Sequence, residues 1–252
     1  MSFSSINTPV SGARNPVSYI NGLNADWLSN TTLTLNPGAC SDSNNIIDMV
    51  VSSSLTINAA ANGALGLDTG SLGASTFYYV FVIGDSSGFN QPSAMISTSA
   101  TAPLMPYGYD SFRMVDVKVT DGSSHFLLSY TTGYYGDRMF TYDAPLTVGS
   151  LTTGTDYAAV ALTACVAPLG VSKVSFVASI TPNAAEDILY LRPTGGTGDE
   201  TKLSGVVASK IQVADLSCLA FLNNSDIASI DFKTTSASDA ATLLVKSFTF
   251  NV

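Results

Sequence analysis

Charge is what this sequence has least of. Asp, Glu, Lys and Arg make up 12% of its 252 residues, about half the roughly 25% of an ordinary soluble domain. A free monomer uses surface charge to stay apart from its neighbours. A surface built instead from Ser, Thr, Asn, Gly and Ala points to one partly covered in an assembly. Bases are scarcer than acids: ten against 19 give a net charge of −9, and Arg14 is the sole base before Arg113. Such a chain cannot neutralise a row of phosphates, which sets nucleic acid aside as a partner.

Histidine is almost absent too. His125 stands alone, which excludes multi-histidine metal sites and leaves one imidazole for base catalysis. No Gly-x-Ser-x-Gly elbow accompanies it. Gly195-Gly196-Thr197-Gly198 runs into acids where a phosphate loop carries Lys, and Asp137 and Asp143 lie outside any Asp-x-Asp-x-Asp-Gly calcium loop. The adjacent acids, Glu186-Asp187 and Asp199-Glu200, sit at expected turns, whereas glycoside hydrolysis needs two carboxyls facing each other at a set separation. The expectation is a chain with no catalytic residue, no metal and no cofactor, and therefore not an enzyme.

Cysteine is sparse. Cys40, Cys165 and Cys218 are widely spaced with no Cys-x-x-Cys. They read as buried small hydrophobes of a protein made in a reducing cytosol, with a disulfide between two of them as the alternative. Residues 1–20 lack a basic and apolar leader, and the longest charge-free stretches, 49–67 and 86–109, are broken by Ser, Asn, Gly and Pro. Neither a cleaved signal nor a membrane span is expected. With two Glu and six Lys, the chain also lacks the charged helix formers that cover an exposed helical face.

What is present is strand. The run Phe77-Tyr-Tyr-Val-Phe-Val-Ile83 has no polar alternation, so it predicts a strand covered on both faces. Gly84, Asp85 and Gly88 then mark a turn, and Ala94 to Thr98 returns beside the first strand. Pro103, Pro106 and Gly108 stiffen the loop that follows. Residues 113–120 alternate, with Val115, Val117 and Val119 on one face and Asp116 and Lys118 on the other, which reads as a half-exposed antiparallel strand.

This stretch carries a resemblance. Leu67-Asp-Thr-Gly70, the aromatic entry to the strand at Phe77-Tyr78-Tyr79, Ser97-Thr-Ser-Ala-Thr-Ala-Pro103 and Pro106-Tyr-Gly-Tyr109 with Phe112-Arg113 are similar to a module of tailed-bacteriophage virion proteins. The similarity implies a component of a phage particle: a capsid decoration or cement protein, or part of a head or tail fibre. It also implies a homotrimer and other virion proteins as partners.

Elsewhere, short strands are read at Leu33–Leu35, 46–51, 55–57, 126–130, 157–163, 171–180, 187–192, 205–213, 219–222, 227–232 and 243–252, with Gly-rich turns between. That pattern predicts an all-β fold: an antiparallel sandwich or barrel of jelly-roll or Greek-key type, as two β modules over 37–133 and 134–252, the second jelly-roll-like. Residues 1–36 hold only scattered apolar anchors, among them Trp27. They read as an extended N-terminal arm or as an edge strand of the first module. Tyrosines gather in loops and at strand ends, including Tyr130 and Tyr142. Tyr107, Tyr109, Tyr134 and Tyr135 are the candidate contact residues, for a subunit neighbour or a host-surface glycan. The functional expectation is a non-enzymatic structural protein of the virion, with a carbohydrate-binding receptor module at a fibre tip as the alternative.

Overall fold

A computed structural model describes residues 19–134, 137–148, 151, 153–163, 165–198 and 200–252. Among them every regular element is a β-strand and none is a helix, as the shortage of charged helix formers implies. The chain divides into two units: unit 1 takes in the described residues up to Phe140 together with Asn251 and Val252, and unit 2 runs from Thr141 to Phe250. The division falls later than the Gly- and Tyr-rich stretch at 131–137, part of which is itself strand.

Unit 1 contains β1 (Ile20–Gly22), β2 (Ala25–Ser29), β3 (Thr32–Leu35), β4 (Gly38–Ser41), β5 (Asp48–Val51), β6 (Leu55–Asn58), β7 (Phe77–Gly84), β8 (Ser93–Ser97), β9 (Ser111–Val119) and β10 (Ser129–Tyr134). The first nine make three antiparallel sheets, ordered β1-β4-β5, β2-β3-β6 and β8-β7-β9. The described part of the expected N-terminal arm is thus edge strands β1 and β2 and the strand β3 that pairs with β2. Its sparse anchors suffice because each short strand buries only one or two residues: Ile20, Leu23, Ala25, Leu33 and Leu35 all enter the core. Trp27 packs against that core and donates its indole N–H to the Phe126 carbonyl at 2.9 Å.

The central strand β7 is covered on both faces within the single chain. Tyr78, Val80 and Val82 face the main core, and Phe81, on the opposite face, meets Phe112 edge-on at 5.7 Å between ring centres. β9 departs from expectation. A bulge opposite Val80 and Phe81 leaves Val115 unpaired and sets Asp116 across from Val80 and Lys118 across from Tyr78. The charged face therefore points inward, and both side chains are fully buried. Alternation showed correctly that the two share a face; it carried no information on what covers that face.

Burial of the charges is matched by partners. The Asp116 carboxylate accepts the Ala25 N–H and the Thr131 hydroxyl, each at 2.7 Å, and lies 3.3 Å from the Lys118 ammonium. Lys118 also donates to Thr131 Oγ1 at 3.2 Å and stands 5.5 Å from the Phe140 ring centre. Nearby in the sequence, buried Arg138 donates to the carbonyls of Gly22 and Leu23 and to Asn24 Oδ1. The charged groups thus hold the β1–β2 segment in place.

Unit 2 begins partway along β11 (Asp137–Thr147). It continues through β12 (Ala158–Ala161), β13 (Ser172–Thr181), β14 (Ile188–Pro193), β15 (Thr201–Ser204), β16 (Gln212–Leu222), β17 (Ala228–Thr234) and β18 (Ala240–Asn251). Two runs of four strands result, β11-β18-β13-β16 and β12-β17-β14-β15. They connect where Phe221 and Leu222 pair with Ser229 and Ala228. Inward residues alternate along β13 as Val174, Phe176, Ala178 and Ile180, and along β14 as Leu189 and Leu191. The strand read at 205–213 is mostly turn: its apolar residues Val206, Val207 and Ile211 are exposed, and pairing starts only at Gln212.

All three cysteines are free and buried. Burial pushes the Cys40 thiol up to about 12 and that of Cys218 to about 11, and raises Cys165 as well. The thiolate is the reacting species, so the native protein is expected to resist alkylation at neutral pH while unfolded chains yield three thiols. Mass spectrometry after iodoacetamide, with and without denaturant, checks this; rapid native labelling of Cys40 would contradict the burial argument.

Candidate functional site

The two loops flanking β8 meet. The first, residues 85–92, follows the central strand β7; the second, residues 98–110, leads into β9. Since β7 and β9 are neighbours in one sheet, both loops emerge beside the same strand end, where Gly84 is paired with Ser111. Between them lies an open basin of about 580 Å³, lined by Phe89, Asn90, Tyr107 and Tyr109 with Asp85 and Asp110.

Hydrogen bonds set the basin before any ligand arrives. Asp85 folds the first loop on itself, its Oδ1 accepting the N–H and hydroxyl of Ser87 and its Oδ2 the backbone and side-chain N–H groups of Asn90. Asn90 then crosses to the second loop and donates to the Gly108 carbonyl at 2.8 Å. Gly108 is required there: its φ is +86°, and a Cβ would come within 2.7 Å of Asn90 Nδ2. Tyr109 donates its hydroxyl back to the Gln91 carbonyl at 3.3 Å. Asp110 holds Ser86, Oδ1 accepting its N–H at 2.8 Å and Oδ2 its hydroxyl.

These bonds hold both carboxylates below the usual acid range, Asp85 chiefly through the Ser87 hydroxyl and then Asn90, Asp110 chiefly through the Ser86 hydroxyl. Their sign fixes a pH dependence. A depressed carboxyl adds order that is fully present above the unfolded value, about 3.9, and is lost as pH falls through the lower folded value. Amide exchange at residues 86–90 is expected to stay slow at mildly acidic pH and to quicken only in stronger acid; quickening already near pH 5 would show that the carboxylates do not hold the loop.

Two aromatic rings are left without cover. Phe89 is 88% exposed and Tyr107 fully so. Of the four tyrosines singled out by sequence, Tyr107 and Tyr109 come together here. Tyr135 and the side chain of Tyr134 lie outside the described residues. Tyr142, expected near a surface, is a core residue whose hydroxyl donates to the Cys165 carbonyl at 2.9 Å. Phe89, Asn90, Asp85 and Asp110 escaped the reading. An exposed Phe inside Asp-Ser-Ser-Gly-Phe-Asn was the available signal, since a large apolar residue in a polar turn has no local reason to be there.

Other candidates disperse. His125 is half-exposed at a turn, its backbone N–H donating to Asp121 Oδ1 and its ring 3.7 Å from Asp121 Oδ2. Asp187 accepts the Ala184 N–H, and Glu200 pairs with Lys202 and accepts the Tyr157 hydroxyl; Asp199 lies outside the described residues. Among the described residues no three His, Cys, Asp or Glu side chains gather as a metal set. Asp68, from the Leu67-Asp-Thr-Gly70 stretch, joins two segments: Oδ2 accepts the Ser97 hydroxyl at 2.6 Å and the Leu104 N–H at 3.1 Å. Neither a family model nor a curated protein matches the chain.

Proposed function

We propose that this chain is a non-enzymatic structural component of a tailed-phage particle, attached to the capsid or placed at the base of a head or tail fibre, and present on the virion surface. The observation that carries the reading is the use made of Asp68. In the stretch that resembles a virion module, the acid of Leu-Asp-Thr-Gly ties down the Ser97–Leu104 segment, so the motif acts as a frame. Asp85 and Asp110 serve their loops in the same way.

Unit 2 supports the reading at the level of architecture. Labelled B to I in chain order, β11 to β18 run B-I-D-G and C-H-E-F within one sheet that also takes in β10, an order we read as that of a jelly roll. Viral capsid and lectin domains both use that architecture, which by itself assigns no function. Mass spectrometry and surface labelling of purified particles test the proposal: the protein is expected on the outside of the virion, and its absence from particles ends the reading.

The basin favours a second reading, a carbohydrate-binding module at a fibre tip. Exposed aromatic rings on loops pinned to a sheet offer flat faces for sugar rings at little ordering cost. Binding of the isolated protein to host cells, lost in Tyr107→Ala, supports it. A protein that enters particles and ignores host cells supports the structural reading alone.

A further inference from the structure

We infer that the basin between residues 85–92 and 104–110 takes a non-acidic sugar, bound best when the sugar carries a free amine. This rests on the glycan-binding reading of the same basin and adds the class of ligand.

The argument starts from the charges of unit 1. Its three described bases, Arg113, Lys118 and Arg138, are all buried, and the first hydrogen-bonds to the Val252 carbonyl while the other two serve the β1–β2 segment. No described Lys or Arg of unit 1 is therefore exposed, half-exposed His125 pairs with Asp121, and the basin carries two carboxylates, Asp85 and Asp110. A uronate or sialate placed there meets negative charge, with no exposed Lys or Arg among the described residues of unit 1 to neutralise it. An ammonium meets the opposite.

The two acids differ in what they have left to offer. Asp85 accepts two bonds at each oxygen, which fills its usual capacity. Asp110 lies on the exposed rim, and its Oδ2 accepts one bond, from the Ser86 hydroxyl. That leaves acceptor capacity on this oxygen at the exposed rim. Phe89 and Tyr107 supply apolar faces for the C–H side of a pyranose, as aromatic platforms do for any flat partner, and Asp110 receives the sugar's hydroxyl or ammonium. The volume, about 580 Å³, falls within the range of small-ligand sites, roughly 300–1,000 Å³.

Titration calorimetry on the whole chain tests this with three short oligosaccharides of equal length: glucosamine with free amines, neutral glucose, and galacturonate. The expected order is amine, then neutral, then acid. The amine should exceed the acid by about tenfold or more at low salt, with the gap closing as ionic strength screens the rim. Raising pH through the sugar amine's range, about 8 for an amine of this kind, should bring the amine down to the neutral sugar. Asp110→Asn is expected to abolish the amine preference while keeping neutral binding. Phe89→Ala and Tyr107→Ala should each weaken all binding about tenfold. Trp27 fluorescence checks that each variant is folded. Equal or tighter binding of galacturonate overturns the ligand class and leaves the glycan reading standing. Failure of all three probes overturns the glycan reading, and this inference with it.

Discussion

Replacing Asp116 with alanine is expected to destabilise unit 1 by about 3–5 kcal/mol, the range found when one partner of a buried ion pair is removed. The change strands the Lys118 ammonium in a fully buried site and leaves the Ala25 N–H and the Thr131 hydroxyl without the acceptor they share. Lys118→Met should do less harm, because Asp116 keeps three neutral donors, the N–H groups of Ala25 and Val117 and the Thr131 hydroxyl, and methionine replaces the aliphatic stem. The double variant Asp116→Leu, Lys118→Met is the informative one. It removes both charges and fills their volume, so it should recover most of the loss and retain a deficit of about 1–3 kcal/mol for the Ala25 amide left unpaired. Denaturant unfolding followed by fluorescence of Trp27, the chain's one tryptophan, reports on unit 1 directly. A single Asp116→Ala variant as stable as wild type would show that the carboxylate does not organise the β1–β2 segment.

That network marks where the sequence stopped being legible. Strand β7 was readable because an unbroken β-branched and aromatic run has one stable placement, the middle of a sheet covered on both sides. Its neighbour β9 was readable as a strand but not as a buried one. Period-two alternation sorts Asp116 and Lys118 from Val117 and Val119, while the cover over the polar side is supplied by Ala25, Thr131 and Phe140, remote in sequence from β9 or beyond its end. Segment 20–36 looked too poor in apolar residues to fold because its core contribution is divided among three strands of three to five residues. At 205–213 the opposite error arose, since Val206, Val207 and Ile211 mimic a strand and lie exposed in turns.

The basin was half legible for the same reason. Tyr107 and Tyr109 stood out through the glycine between them and the proline before them, both local signals. Phe89, Asn90, Asp85 and Asp110 join them only because β7 pairs with both β8 and β9, which brings two loops together at one strand end. Local sequence reports turn chemistry; it does not report which turns become neighbours.

Light scattering on the purified protein at micromolar concentration is expected to give about 78 kDa, three times the 26.1 kDa chain. The argument for self-association shifts from where composition placed it. Strand β7 finds its cover within one chain, so its apolar run does not call for a partner. What does is unit 2, where Val206, Val207, Ile211 and Val213 are each more than half exposed within eight residues of sequence. Apolar surface of this kind, on a chain with so few charges to keep copies apart, is what the proposed self-association would cover. A closed head-to-tail ring gives every copy the same two contacts and leaves no such face open, whereas an unclosed series would grow into fibres. The number three is what the proposed likeness to phage virion proteins would imply. Burial of about 1,000 Å² or more per subunit would make assembly and stability inseparable. Ile211→Asp with Val213→Asp should place charge in that interface and release monomers, which then unfold at lower denaturant concentration than the parent. A wild-type protein that runs as a stable, monodisperse species at 26.1 kDa would remove both the trimer and the inference drawn from scarce charge.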